Sequence, residues 1–193
     1  MKKSLFFALV FVFFTSLAFA DTTSISKINI TGLKNVKEKT VLSAIELEPG
    51  ATYNDRAASK AVQSILAIGS FDDVEIFFNR ESGVLTLAVA EKPLIGKINF
   101  KGNVQFSAGK LRSESVLKEK DFFDNAKLEE TKSKINKLYQ DAGFADVQIE
   151  VYPTTNPETN IMTINFLITE NKKITVGGIS IEGVQSFTEK KIS

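Results

Sequence analysis

One phrase occurs three times in this chain, as Ile28-Asn29-Ile30-Thr31-Gly32, Ile98-Asn99-Phe100-Lys101-Gly102 and Ile179-Ser180-Ile181-Glu182-Gly183. Each copy alternates apolar and polar residues and stops at a glycine, which is how a half-buried strand that ends in a tight turn reads. The glycines stand 70 and then 81 residues apart. That period is too long for a solenoid repeat and suits a small domain used in tandem.

The segments after the first two phrases match as well. In the first copy, Asn35 is placed to cap a short helix with Val41, Leu42 and Ile45 inward, and Pro49-Gly50 breaks the chain. A longer helix is expected from Asn54 or Asp55, with Ala58, Ala61, Val62, Ile65 and Leu66 as its buried stripe and Gly69 as a left-handed cap. Two alternating stretches then form a hairpin, Val74-Ile76-Phe78 and Leu85-Leu87-Val89, joined at Ser82-Gly83. The second copy repeats the order. A helix near Ser107 to Leu117 contains Gly109, which weakens it by about 1 kcal/mol relative to alanine. A second helix from about Asn125 to Asp141 carries Leu128, Ile135, Leu138 and Tyr139 on one side, and Gly143 caps it. Strands at Val147-Ile149-Val151 and Met162-Ile164-Phe166-Ile168 follow, joined by a polar loop from Pro153 to Asn160.

Each unit therefore reads β-α-α-β-β: an α+β two-layer sandwich in which a mixed three-stranded sheet is covered on one face by two helices. The first strand returns to the sheet after the helices and pairs with the second or the third strand. The expected division is 1–20 leader, 21–92 first unit, 93–173 second unit, and 174–193 the incomplete start of a third. That last piece has one strand without its hairpin or helices, so the natural chain is expected to continue past Ser193. Glu91-Lys92-Pro93 joins the first two units and is expected to act as an interdomain hinge.

The leader is read from Lys2 and Lys3, the apolar run from Leu5 to Phe14, and the small residues Ala18 and Ala20. Together they form a secretory signal peptide with cleavage before Asp21. The exported product then begins at Asp21; an intact mass that retained Met1 would contradict this. Loss of residues 1–20 leaves 22 basic against 23 acidic residues, interspersed along the chain. A counterion-releasing nucleic-acid surface needs a clustered basic excess, so no nucleic-acid partner is expected. The chain has no Cys, His or Trp. Disulfides, thiol nucleophiles, imidazole bases and the commonest metal ligands are excluded together, and neither enzymatic activity, a metal nor a cofactor is expected.

The phrases that close the long helices, Leu66-Ala67-Ile68-Gly69-Ser70-Phe71-Asp72-Asp73-Val74 and Leu138-Tyr139-Gln140-Asp141-Ala142-Gly143-Phe144-Ala145-Asp146-Val147, together with the triple I-x-I-x-G, resemble POTRA domains. The resemblance covers nearly all of the chain after residue 20. It implies the periplasmic region of an outer-membrane protein assembly factor of the BamA kind, at the periplasmic face of the bacterial outer membrane. In such proteins POTRA tandems receive unfolded outer-membrane β-barrel proteins and bind accessory lipoproteins, and a C-terminal barrel, missing from this chain, supplies the membrane contact. Related secretion transporters use the same domain, so a periplasmic scaffold without client binding is the alternative.

Isolated motifs carry less. Asp72-Asp73-Val74-Glu75 lacks the alternating acid-Asn/Asp-Gly loop of a calcium site and reads as a solubilised strand entry. Gly109-Lys110 fails as a phosphate loop, because Val104 and Leu111 stand where Gly and Ser/Thr are required. Asn29-Ile30-Thr31 fits a glycosylation acceptor by chance, inside a strand. Such an architecture offers a partner a strand edge, to which an extended segment adds through backbone hydrogen bonds. The candidate edges are Val74, Glu75, Ile76, Phe77 and Phe78 in the first unit, and Val147, Gln148, Ile149, Glu150 and Val151 in the second. Phe77 faces away from Val74, Ile76 and Phe78, and either grips a partner or packs locally after Arg80; Tyr152 poses the same alternative.

Overall fold

The computed structural model describes residues 24–174. Along them run β1 (Lys27–Thr31), α1 (Glu38–Ala44), α2 (Asp55–Ala67), β2 (Phe71–Asn79) and β3 (Val84–Glu91), then β4 (Leu94–Lys101), α3 (Ala108–Glu114), α4 (Asn125–Asp141), β5 (Gln148–Asn156) and β6 (Ile161–Thr169). The third phrase, at 179–183, lies outside the described residues.

Two mixed sheets result, ordered β1-β3-β2 and β4-β6-β5. The first strand of each unit pairs in parallel with the third, and the second pairs with it antiparallel. The hairpin claims one edge of β3, so the returning strand takes the other, where Ile28 and Ile30 fall opposite Leu85 and Leu87. The central strands hold the driest positions. Leu85, Leu87, Ile164 and Phe166 are all at most 1% exposed. The two cores share no residue, one gathering around Ile65, Leu85 and Leu87 and the other around Ile135, Tyr139 and Phe166. Each unit is thus its own hydrophobic cluster.

The helices follow their caps. Asn54 accepts from the Ala57 N–H at 2.9 Å and starts α2; Asp124 accepts from Ala126 and Lys127 at 2.8 and 3.2 Å and starts α4; Ser107 accepts from Lys110 at 3.2 Å and starts α3. Asn35 does not cap α1. That helix begins after Lys37 without a side-chain cap. The stripe of α2 is narrower than its periodicity suggests. Ala58, Ala61 and Ile65 are buried, Val62 is half-buried, and Leu66 is 38% exposed, as is Leu42 on α1. One residue is about 100° of helix, enough to carry Leu66 off the sheet.

Two further boundaries differ from expectation. Val147 precedes β5, half-buried against the second core, and β5 runs on to Asn156, so that Pro153 lies inside a strand and the turn is confined to residues 157–160. Proline is tolerated there because β5 is an edge strand. Thr131, which sequence reading passes over, is fully buried on α4, and its hydroxyl accepts from the Val116 and Leu117 N–H groups at 3.1 and 3.2 Å.

These placements predict that Ile65→Ala lowers the stability of the first unit by ~2–5 kcal/mol, whereas Leu66→Ala costs under about 1 kcal/mol. Denaturation followed by one probe in each unit checks both statements. A shift of the second unit's midpoint with the first would contradict separate cores.

Candidate strand-edge binding site

Sheet order makes β2 and β5 edge strands. The direction of their backbone groups follows from the pairing. In an antiparallel pair, alternate residues direct both N–H and C=O toward the partner strand, and those between direct both away. The Val74 N–H is bonded to the Asp73 carboxylate at 2.8 Å, a side chain on its own strand, so Val74 belongs to the outward set. Pairing with β3 runs unbroken from Asp73 to Asn79, which places Ile76 and Phe78 in the same set and Glu75 and Phe77 toward β3.

The two edges are superposed by register. Lys27 pairs with Val84 in the first sheet and Lys97 with Thr163 in the second. Following the antiparallel partners outward, Val74, Glu75, Ile76, Phe77 and Phe78 correspond to Ile149, Glu150, Val151, Tyr152 and Pro153. The outward set of β5 is therefore Ile149, Val151 and Pro153. This agrees with the chemistry of proline, whose missing donor leaves the β6 ladder intact only if its nitrogen points away. Gln148 and Glu150 direct their backbone groups to β6.

Side chains on the helix-free face project beside these edges. Phe77 is 55% exposed and Tyr152 is 54% exposed, so neither ring is packed away. The Tyr152 hydroxyl donates to the Glu150 carboxylate at 2.6 Å, and that hydrogen bond holds its pKa above the usual tyrosine value. On the helix side, Phe78 stacks on Tyr53 with ring centroids 4.4 Å apart. A groove of about 320 Å³ opens between α4 and the start of β5, lined by Glu129, Lys132, Ser133, Asn136, Val147 and Ile149. Among the described residues no cluster of potential ligands is placed to hold a metal, and no helix is long and apolar enough to cross a membrane.

The junction at Glu91, Lys92 and Pro93 is held from both sides. Glu91 is 8% exposed, and its carboxylate accepts three backbone N–H groups, from Lys34, Asn35 and Val36, each at 2.8 Å. The Lys92 N–H reaches the Ser70 carbonyl at 2.9 Å, and the Pro93 carbonyl accepts from Phe123 at 2.8 Å. From the turn of the second unit, the Asn160 amide donates to the Glu91 and Lys92 carbonyls at 2.9 and 3.2 Å. Lys34 donates to the Pro157 carbonyl at 2.5 Å and Asn35 to the Thr159 carbonyl at 3.0 Å. Asn35, expected as a helix cap, spans the two units instead.

The described residues thus form two β-α-α-β-β units in tandem, with separate cores, strand edges left open at β2 and β5, and a hydrogen-bonded junction. The family model for POTRA, described as a surface antigen variable number repeat, matches residues 23–92 and again 93–171, and the chain belongs to that family. The chain is 32% identical over 193 residues to the outer membrane protein assembly factor BamA of Neisseria meningitidis, covering 98% of this chain and 24% of that protein. It is 28% identical over 195 residues to BamA of Buchnera aphidicola, covering 97% of this chain and 30% of that one. The chain thus spans less than a third of the length of these relatives. Among solved structures, the N-terminal domain of Omp85 from Thermosynechococcus elongatus aligns at 20% identity with a TM-score of 0.49, covering 75% of this chain and 61% of that one.

Proposed function

We propose that this chain is the periplasmic POTRA region of an outer-membrane protein assembly factor, and that it receives unfolded outer-membrane β-barrel proteins by weak strand addition. The observation that carries the reading is the pair of hairpin edges, β2 and β5, whose outward N–H groups at Ile76, Phe78, Ile149 and Val151 make no hydrogen bond among the described residues, in a chain whose relatives are named as assembly factors. The signal peptide at 1–20 directs such a chain to the periplasm, and accessory assembly lipoproteins are partners of the same kind of surface. No enzymatic step is required: the working part is the backbone.

The energetics suit a transient receiver. Ile76 and Phe78 each offer a donor and an acceptor, and Val74 adds an acceptor. Five such bonds at ~0.5–1.5 kcal/mol each stand against an association cost of at least ~4 kcal/mol. Binding is therefore weak and indifferent to most side chains, which lets one site take many sequences and release them. A labelled peptide copied from an outer-membrane strand is expected to bind with a dissociation constant on the order of several mM at best, and the same peptide with two interior prolines is expected not to bind. Equal binding of both would contradict backbone pairing. The alternative, a scaffold of a secretion transporter that sets spacing and carries no client, predicts that neither binds.

A further inference from the structure

The two edges are not equivalent, and the difference lies at one position of the shared register. Phe78 and Pro153 occupy it, opposite Leu85 and Ile164 respectively. Both residues belong to the outward set, but only Phe78 has an N–H to give. The proline ring also stands where an incoming strand has to approach. On β5 an added strand finds Ile149 and Val151 and is then stopped. On β2 no proline interrupts the outward set from Val74 to Phe78; the Val74 N–H is taken by the exposed Asp73 carboxylate, which leaves the Val74 carbonyl and both backbone groups of Ile76 and Phe78 for a partner.

The first edge also carries charge. Asp72, Asp73 and Glu75 are exposed at its entry, and none is in an ion pair among the described residues. Phe77 projects beside the same stretch. The groove at α4 is the competing site, but four of its six lining residues are polar or charged, and Lys132 there is already paired with Glu129 at 3.1 Å.

We infer that β2 of the first unit is the client-binding edge, that Pro153 closes the corresponding edge of the second unit, and that the preferred occupant is an extended segment of about five residues with a lysine or arginine at the end lying against Asp72, Asp73 and Glu75. The inference rests on the strand-addition reading above. It makes the tandem asymmetric, with one receiving unit and one that orients it.

The test uses the exported chain, amide chemical shifts, and a strand peptide of alternating Val and Thr flanked by lysines. Titration is expected to move the amides of Val74 to Asn79 and to leave those of Ile149 to Thr155 in place. Phe78→Pro is expected to abolish these shifts and Phe78→Ala to preserve them, because the ring is not what binds. The melting transition and circular dichroism of Phe78→Pro serve as the folding control, and Pro153→Thr needs no such allowance because it adds a donor. That second variant is expected to open β5, so that a new set of shifts appears at Ile149 to Thr155. A glutamate-flanked peptide is expected to bind the first edge several-fold more weakly at low salt, with the gap narrowing as salt is added. Wild-type shifts centred on Val147 to Val151 and the α4 residues Lys132 and Asn136, or a Pro153→Thr variant that gains no second site, would overturn the choice of edge while leaving strand addition standing. Shifts at neither edge at saturating peptide would overturn both.

Discussion

Gly102→Ala is expected to destabilise the second unit by about 2–5 kcal/mol. The residue has a φ of +79°, and a methyl group there would sit 2.1 Å from the Ile168 carbonyl oxygen. Left-handed backbone costs a non-glycine residue ~1–2 kcal/mol, and forcing a group into filled space adds ~1–3 kcal/mol. The neighbour is backbone of the central strand, so it cannot turn aside as a side chain would. Gly32 repeats the arrangement at φ +91°, with the Val89 oxygen 1.9 Å from the added methyl. The glycine of the first two copies of the phrase is thus required where the first strand leaves the sheet and crosses close over the third. Gly109 supplies the control: inside α3 its methyl would find the Ser107 hydroxyl no nearer than 3.8 Å, and Gly109→Ala is expected to be neutral or to stabilise by up to ~1 kcal/mol. Equal denaturation midpoints for Gly102→Ala and wild type would contradict this account of the phrase.

Glu91→Ala is expected to cost about 2–4 kcal/mol and to loosen the junction. Truncation leaves the N–H groups of Lys34, Asn35 and Val36 without the carboxylate that holds them. A buried donor left unpaired costs ~1–3 kcal/mol, and because the three donors of this loop are only partly buried, water recovers part of the loss and the sum falls at the low end of that range. The same loop carries the contacts from Lys34 and Asn35 to the 157–160 turn, so the loss extends to the interface between units. Loss of stability is read from denaturation, and the loosened junction from faster amide exchange at Leu94, whose N–H is bonded to the Asn160 carbonyl at 2.9 Å. Unchanged exchange at Leu94 would show that the junction stands without Glu91, and the expected hinge at Glu91-Lys92-Pro93 would then need another account.

Much of this was legible in the sequence because the determinants are local. A strand that ends in a forced glycine, a helix that begins at Asn54 and ends at Gly69, and an alternating hairpin each write themselves within a few residues. The order of strands was not, since β1 finds β3 only after two helices, and sequence separation carries no direction. Asn35 looked like a cap because it precedes a helix by a plausible distance. Its loop is held instead by Glu91, 56 residues away in the chain. Leu66 and Ile65 lie on the same stripe by periodicity, and only packing decides which one meets the sheet. Pro153 reads as a strand breaker and so as part of a loop; that it stays in the strand, facing out, follows from β5 being an edge. The edge residues themselves could be named from alternation, but their inward and outward sets depend on register, which a one-residue slip would invert.

The direct measurement of strand addition is amide hydrogen exchange at the outward positions, with and without a strand peptide at saturation. Ile76 and Phe78 on β2, and Ile149 and Val151 on β5, have N–H groups directed away from their sheets, and they exchange freely unless a partner takes them. The account predicts that peptide slows exchange at outward residues of an edge while Glu75 and Phe77, already bonded to β3, change little. Exchange at all four outward amides that stays unslowed while the peptide is demonstrably bound would contradict it.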